Sequence, residues 1–154
     1  MMEWKETKII DADIEVVWEL FKDRNIRTIM PKVEEHTLIE KEEHQAGAKH
    51  RQTYREGKRV ETYIVETVAY EDRDDYKNKQ IQFVLGKAFE IDLTFTLEKI
   101  GKNKTSFTYA GRNKGVNFVG RAMLRLGSKK GNMDVVQEFM NRVQSQSIQQ
   151  DDKQ

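Results

Sequence analysis

Residues 89–98 alternate without a break. Phe89, Ile91, Leu93, Phe95 and Leu97 are apolar, and Glu90, Asp92, Thr94, Thr96 and Glu98 are polar. A period of two with one apolar side predicts a half-buried antiparallel strand, apolar side in and polar side out. Near the N-terminus the period changes. Ile14, Val17, Trp18 and Phe21 fall at i, i+3, i+4 and i+7, one face of a short helix. Asp13 is placed to cap that helix, and Glu15 suits its positive end. Residues 3–10 read as a first strand, and "RNIRTIM" as a second short helix that ends ahead of Pro31, the sole proline. From about residue 33 to 111 the chain is a series of strands joined by short turns rich in Gly and Asp.

The turns propagate the inward face from strand to strand, because paired residues share a side. Gly57-Lys58 centres a two-residue hairpin. It places Tyr54 opposite Glu61, Gln52 opposite Tyr63, His50 opposite Val65, and Lys49 opposite Glu66 as an outward ion pair. The "GKNK" loop sets Leu97 against Phe107 and Phe95 against Tyr109. The connections near Asp74 and Gly86 must be odd in length for Val65, Phe83 and Ile91 to share a face. The resulting inner wall is uneven. Ile81, Phe83, Leu85 and the apolar row of residues 89–97 form one part; His50, Gln52, Tyr54, Glu61 and Tyr63 form a polar, aromatic part. Unpaired polar groups in a solid core cost roughly 1–3 kcal/mol each. Either these strands splay from the core and their groups are wet or paired, or they line a hydrated cavity with a polar end.

At the C-terminal end Val119, Leu126, Met133 and Met140 repeat every seven residues, with Ala122, Val136 and Val143 as a companion row. The stripe keeps its phase across "GSKKG", which predicts one long helix with a soft point at Gly127 and Gly131. The competing reading is a break there, with Asn132 capping a second helix. Residues 1–146 are expected to form a single domain, and the polar residues 147–154 a frayed tail.

The chain has 154 residues, enough for one core without staples, and no cysteine, which excludes disulfides and thiol chemistry. Neither a secretory leader nor a membrane span is visible, so a cytoplasmic location is expected. The net charge of +1 hides an asymmetry: residues 99–133 hold nine Lys/Arg and no Asp or Glu. That segment is either a solvated surface or a positive face for an anionic ligand, a membrane surface or nucleic acid.

Tests for particular chemistry are mostly negative. "GSKKG" has the wrong spacing for a phosphate loop and follows a helical run. No serine sits in a nucleophile elbow. His36 and His50 fall on adjacent strands without an evident third ligand, so no metal is expected. Phe107 and Tyr109 share parity with the core, which argues against a stacking platform for nucleic acid. The best acid–base candidate is His50, with Tyr54 and Tyr63 as donors. A role for these three in orienting a ligand is preferred over catalysis.

The order of elements, with "IIDADIEVVWELFKD", Pro31, Gly47 and "TFTLEKIGKNKTSFTY" in sequence, resembles the START-like, Bet v 1-like superfamily (SRPBCC; polyketide cyclase/dehydrase and lipid-transport domains). The resemblance spans nearly the whole chain. It implies an α+β helix-grip fold: a curved antiparallel sheet of six to seven strands around a long C-terminal helix, with two short helices after strand 1. It also implies a cavity between sheet and helix that binds a hydrophobic or amphipathic small molecule, without a cofactor. His50, Gln52, Tyr54 and Tyr63 would form its polar end and Phe83, Phe95 and Tyr109 its wall. Arg112 would stand near the mouth, where it would help recruit an anionic head group, and Met123 and Leu126 would reach in from the helix. The alternatives are a cyclase or aromatase, and an interaction protein of co-chaperone or ribosome-binding type. The last would use the basic segment 99–133, which also offers a transient membrane-surface contact.

Overall fold

In the computed structural model, which describes residues 1–127 and 129–153 and all their side chains except those of Leu126 and Lys129, strand β1 (Met2–Ile10) leads into helix α1 (Ile14–Glu19). The Asp13 carboxylate accepts the Glu15 backbone N–H at 2.8 Å, the expected cap. A 3-10 turn (Asp23–Asn25) runs into α2 (Ile26–Ile29), which stops before Pro31. Six strands follow: β2 (Val33–Glu40), β3 (Lys49–Glu56), β4 (Arg59–Asp72), β5 (Tyr76–Leu85), β6 (Phe89–Gly101) and β7 (Lys104–Gly115). Helices α3 (Phe118–Leu126) and α4 (Lys129–Asp152) complete the chain.

The sheet has seven antiparallel strands in the order β1-β7-β6-β5-β4-β3-β2. Strands β2 to β7 are hairpin neighbours throughout, and β1 closes the far edge. Because β1 and β2 lie at opposite edges, α1 and α2 must cross between them over one face of the curved sheet. Helix α4 packs against α1, α2 and β1 on that side. Phe21, Phe95, Phe107, Tyr109 and Phe139 stack into the centre, with Phe139 and Tyr109 ring centroids 4.8 Å apart. This is the α+β helix-grip architecture.

The expected registers are found. Tyr54 faces Glu61, Gln52 faces Tyr63, His50 faces Val65, and Lys49 faces Glu66. Leu97 faces Phe107 and Phe95 faces Tyr109. The parity that puts Phe83 opposite Ile91 comes from the three-residue turn at Gly86. The connection near Asp74 is even rather than odd, four residues between the paired Asp72 and Lys77, and a bulge between Thr67 and Ala69 restores the expected parity.

Two expectations about the C-terminus are corrected. The helix is not continuous: α3 ends at Gly127, whose φ of −68° and ψ of 139° are extended rather than helical. The continuous stripe fails for a physical reason. Gly120 seats α3 against β7 and the turn before β6, where a Cβ would come within 2.2 Å of the Ala88 carbonyl oxygen. That contact turns Val119 and Met123 outward, while Val136, Met140 and Val143 of α4 stay buried. The remainder of "GSKKG" cannot be followed through Ser128, which lies outside the described residues. The C-terminal residues up to Asp152 continue α4 instead of fraying. Ser147 is fully buried and donates to the Val143 carbonyl at 2.7 Å, and Gln144 reaches the Ile9 carbonyl at 3.4 Å. Among the described residues no helix is long and apolar enough to cross a membrane.

Candidate functional site

Alternation along β5 points Lys77, Lys79, Ile81 and Phe83 to one side, the inner one. Two lysines thereby enter the interior and require partners. Lys77 pairs with Glu15 at 2.7 Å and with Asp72, beneath the Trp18 ring. Burial alone would push its ammonium down, but the hydrogen bonds it donates to Asp72 and Glu15 prevail and hold it above the usual range. Lys79 is 4% exposed and donates to the Phe21 carbonyl at 2.9 Å and to Asp23 Oδ1 at 3.3 Å.

Asp23 is the centre of a buried polar cluster. His36 Nε2 is hydrogen-bonded to Asp23 Oδ1 at 2.7 Å, and His36 Nδ1 lies 2.8 Å from the Gln52 side-chain amide. Both His36 nitrogens are thereby engaged, one by the carboxylate and one by the amide. Gln52 Nε2 in turn donates to the Tyr63 hydroxyl at 2.8 Å. A hydrogen-bonded chain therefore runs Tyr63–Gln52–His36–Asp23–Lys79, across β4, β3, β2, the 3-10 turn and β5. Burial pushes the Asp23 carboxyl up, but the His36 hydrogen bond and the charges of Lys79, His50 and His36 outweigh it and hold it well below the usual carboxylate range. His50 stacks on His36 with centroids 4.2 Å apart and lies 3.3 Å from Glu43 and 3.6 Å from Asp23. Burial and the His36 charge push His50 down, against the pull of Asp23 and Glu43.

Ligand atoms of Asp23, His36 and His50 lie within 4.8 Å of one another, a spacing that a metal ion can span. The chemistry of the group disfavours one. The Lys79 ammonium already holds Asp23, and the two imidazole planes are 10° apart and stacked, so their in-plane lone pairs do not converge on one point. The void enclosed by Phe21, Asp23, Met30, His36, His50, Gln52 and Phe95, among others, is about 10 Å³, the space of one water.

An open site lies at the other end of the chain of hydrogen bonds. The β4–β5 ladder stops at Glu66–Gln82, so residues 59–65 of β4 pair only with β3, and residues 83–85 of β5 only with β6. The sheet splits there. A concavity of about 570 Å³ occupies the gap, lined by Glu61, Tyr63, Ile64, Phe83, Val84 and Lys87 among others. Tyr63 and Phe83 stack across the split with centroids 4.7 Å apart and planes 16° apart. Burial raises the Tyr63 hydroxyl, so it remains a proton donor near neutrality.

The structure thus brings together His50, Gln52, Tyr63 and Phe83. Tyr54 is half-buried beside them, hydrogen-bonded to Glu56 at 3.3 Å. Tyr109 belongs to the solid centre, and Phe95 packs there while bordering the small void beside His50 and Gln52. Arg112 is misplaced in the sequence reading. It faces Asp92 and Glu3 on the outer side of the sheet, because it is one residue out of phase with Tyr109 and Gly111. Met123 is half-exposed on α3, and the Leu126 side chain lies outside the described residues. Asp23 and Lys79 escaped sequence reasoning. The signal for Lys79 was available: it shares parity with Ile81 and Phe83. Asp23 sits in an irregular turn, where no period reports direction.

A family model described as polyketide cyclase/dehydrase and lipid transport matches residues 1–148. The chain belongs to that family. The START-like, Bet v 1-like assignment made from the sequence agrees with it. Solved structures share the fold. Hypothetical protein jhp0584 from Helicobacter pylori gives a TM-score of 0.72 at 12% identity, covering 95% of this chain and 88% of that one. Zhui aromatase/cyclase from Streptomyces sp. R1128 gives 0.68 at 12% identity, over 95% and 93%. Major latex-like protein 151 from Panax ginseng gives 0.66 at 17% identity, over 94% and 95%. At these identities the likeness is one of fold. Comparison with curated proteins gave no match.

Proposed function

We propose that the protein binds a hydrophobic or amphipathic small molecule at the split between β4 and β5, with the ligand's polar end toward the Tyr63–Gln52–His36 chain. The observation that carries this is the stacked Tyr63–Phe83 pair lying across an unpaired stretch of sheet. A flat apolar ligand laid on or between these rings leaves water at about 25 cal/mol per Å² buried. The Tyr63 hydroxyl, held by the Gln52 amide, offers one oriented polar contact, as small-molecule sites commonly do. With about 10 Å³ enclosed behind the rings, a larger ligand either stays in the cleft or parts the strands further.

The family includes cyclases, and an aromatase/cyclase shares the fold, so turnover is the second reading. Binding is favoured because His50, the natural acid–base group, is 1% exposed and faces Asp23 and Glu43 rather than the cleft. Tyr63 is the member of the hydrogen-bonded chain that lines the cleft.

The test is competitive displacement of an apolar fluorescent probe by fatty acids, isoprenoids and polycyclic aromatics. Saturable binding is expected, weakened about ten- to a hundredfold by Phe83→Ser, which removes one buried ring face. Failure of every compound to bind the intact protein, or unchanged affinity in the variant, would overturn the assignment.

A further inference from the structure

Helix α3 is amphipathic but turned inside out relative to the core. Its seat is Gly120, whose missing side chain lets the backbone touch the Ala88 carbonyl; Gly115 of β7 lies under the same turn. Phe118, Val119, Ala122 and Met123 fall on the opposite arc. Phe118 is 80% exposed, Val119 60% and Met123 50%, and Val116 just before the helix is 40% exposed. These residues form one continuous patch, unlike scattered surface apolar residues, and such patches mark interaction sites. The helix contains no acidic residue. Arg121 and Arg125 flank the apolar arc, both exposed, and neither forms an ion pair with a described residue. Lys114 and Lys130 stand exposed beyond the two ends, and Lys87 is tied alongside through the bond from Asn117 Nδ2 to its carbonyl. The acidic groups nearest in the chain and ladder are Asp134 and Glu90, the latter opposite Lys114.

We infer that α3 docks the protein on an anionic lipid bilayer, with Phe118, Val119 and Met123 in the acyl boundary and the basic residues at the head groups. The occupant follows from the combination. Phosphates alone would leave an apolar arc wet, and a neutral apolar partner would leave five cations unmatched. An interface with negative head groups over hydrocarbon matches both, which is the requirement of an interfacial helix. Nucleic acid fits less well, since Val119 and Met123 offer no stacking face. The inference is independent of the cleft between β4 and β5.

The test is co-sedimentation of the full chain with phosphatidylcholine vesicles, with and without about one-third phosphatidylserine. Partitioning is expected to be about tenfold or more stronger on the anionic vesicles, and to fall when salt rises from about 0.1 to 0.5 M. Arg121→Gln with Arg125→Gln should reduce it about tenfold or more. Phe118→Ser should also reduce it, although it leaves every charge in place. All three positions are exposed, and a thermal melt of each variant checks that the fold is retained. Equal partitioning on neutral vesicles, or no effect of Phe118→Ser, would overturn the inference. So would arginine-dependent binding of a single-stranded oligonucleotide by protein that leaves vesicles unbound.

Discussion

Asp23 and Lys79 are both nearly fully buried, and neither is sustainable alone. Removing one partner of a buried pair typically costs 3–5 kcal/mol, because the other is left uncompensated, whereas replacing both is often close to neutral. Asp23→Asn is therefore expected to lower unfolding stability by about 3–5 kcal/mol, since the neutral amide leaves the Lys79 ammonium buried without a counter-charge. Adding Lys79→Met should restore most of that loss. Denaturant unfolding of the single and double variants measures both. A loss below about 1 kcal/mol in the single variant would show that the pair is not the anchor of the cluster. At this scale the sequence was half legible. The pairing of His50 with Val65 and Gln52 with Tyr63 followed from one hairpin. The third element of the cluster, Asp23, did not, because its direction is set by tertiary contact.

Strands were the most legible elements. Each hairpin turn transmits a parity, and a single wrong parity would have exposed a row of Phe and Leu. The break between α3 and α4 was not legible, because a seven-residue stripe reads the same in one helix or two. What separates them is the seat of Gly120 on the Ala88 carbonyl, a contact between distant parts of the chain. Gly120→Ala brings a methyl to 2.2 Å from that backbone oxygen and must push α3 off the sheet. It is expected to cost about 1–3 kcal/mol and to speed amide exchange through α3. Gly127→Ala is the control. Its added methyl meets Asn132 and Leu124 at 3.5 and 3.6 Å, ordinary contacts, in a conformation open to alanine. It should change stability by less than about 1 kcal/mol. Equal effects of the two substitutions would remove Gly120 as the reason α3 stands apart.

For the molecule as a whole, family and architecture could be read from the sequence because they depend on element order. The site could be read only in part. The wall was expected to be either splayed and paired or polar and hydrated, and the structure combines the two: β3 and β4 leave β5 at Glu66–Gln82, and behind the split the polar groups bond one another. That buried network governs how global stability responds to pH. His50 is pushed down on folding, so the unfolded chain binds a proton first as pH falls below about 6.5, and stability declines from there. Asp23, Glu19 and Asp72 are held down in the fold, so their contribution is intact above about pH 4 and is lost as pH falls through their folded values. At the alkaline end burial raises Tyr63 and Tyr109, and pushes Tyr70 up to about 12. Above about pH 10 the unfolded chain ionises its tyrosines while the fold resists, and stability falls again. Unfolding midpoints across this range should show a plateau between about pH 6.5 and 10, a shallow first decline and a steep second one. His50→Gln should abolish the first decline and leave the second. A flat response from pH 7 to 5 in the intact protein would mean that His50 is not held neutral behind Glu43, and that the interior opens more readily than its packing implies.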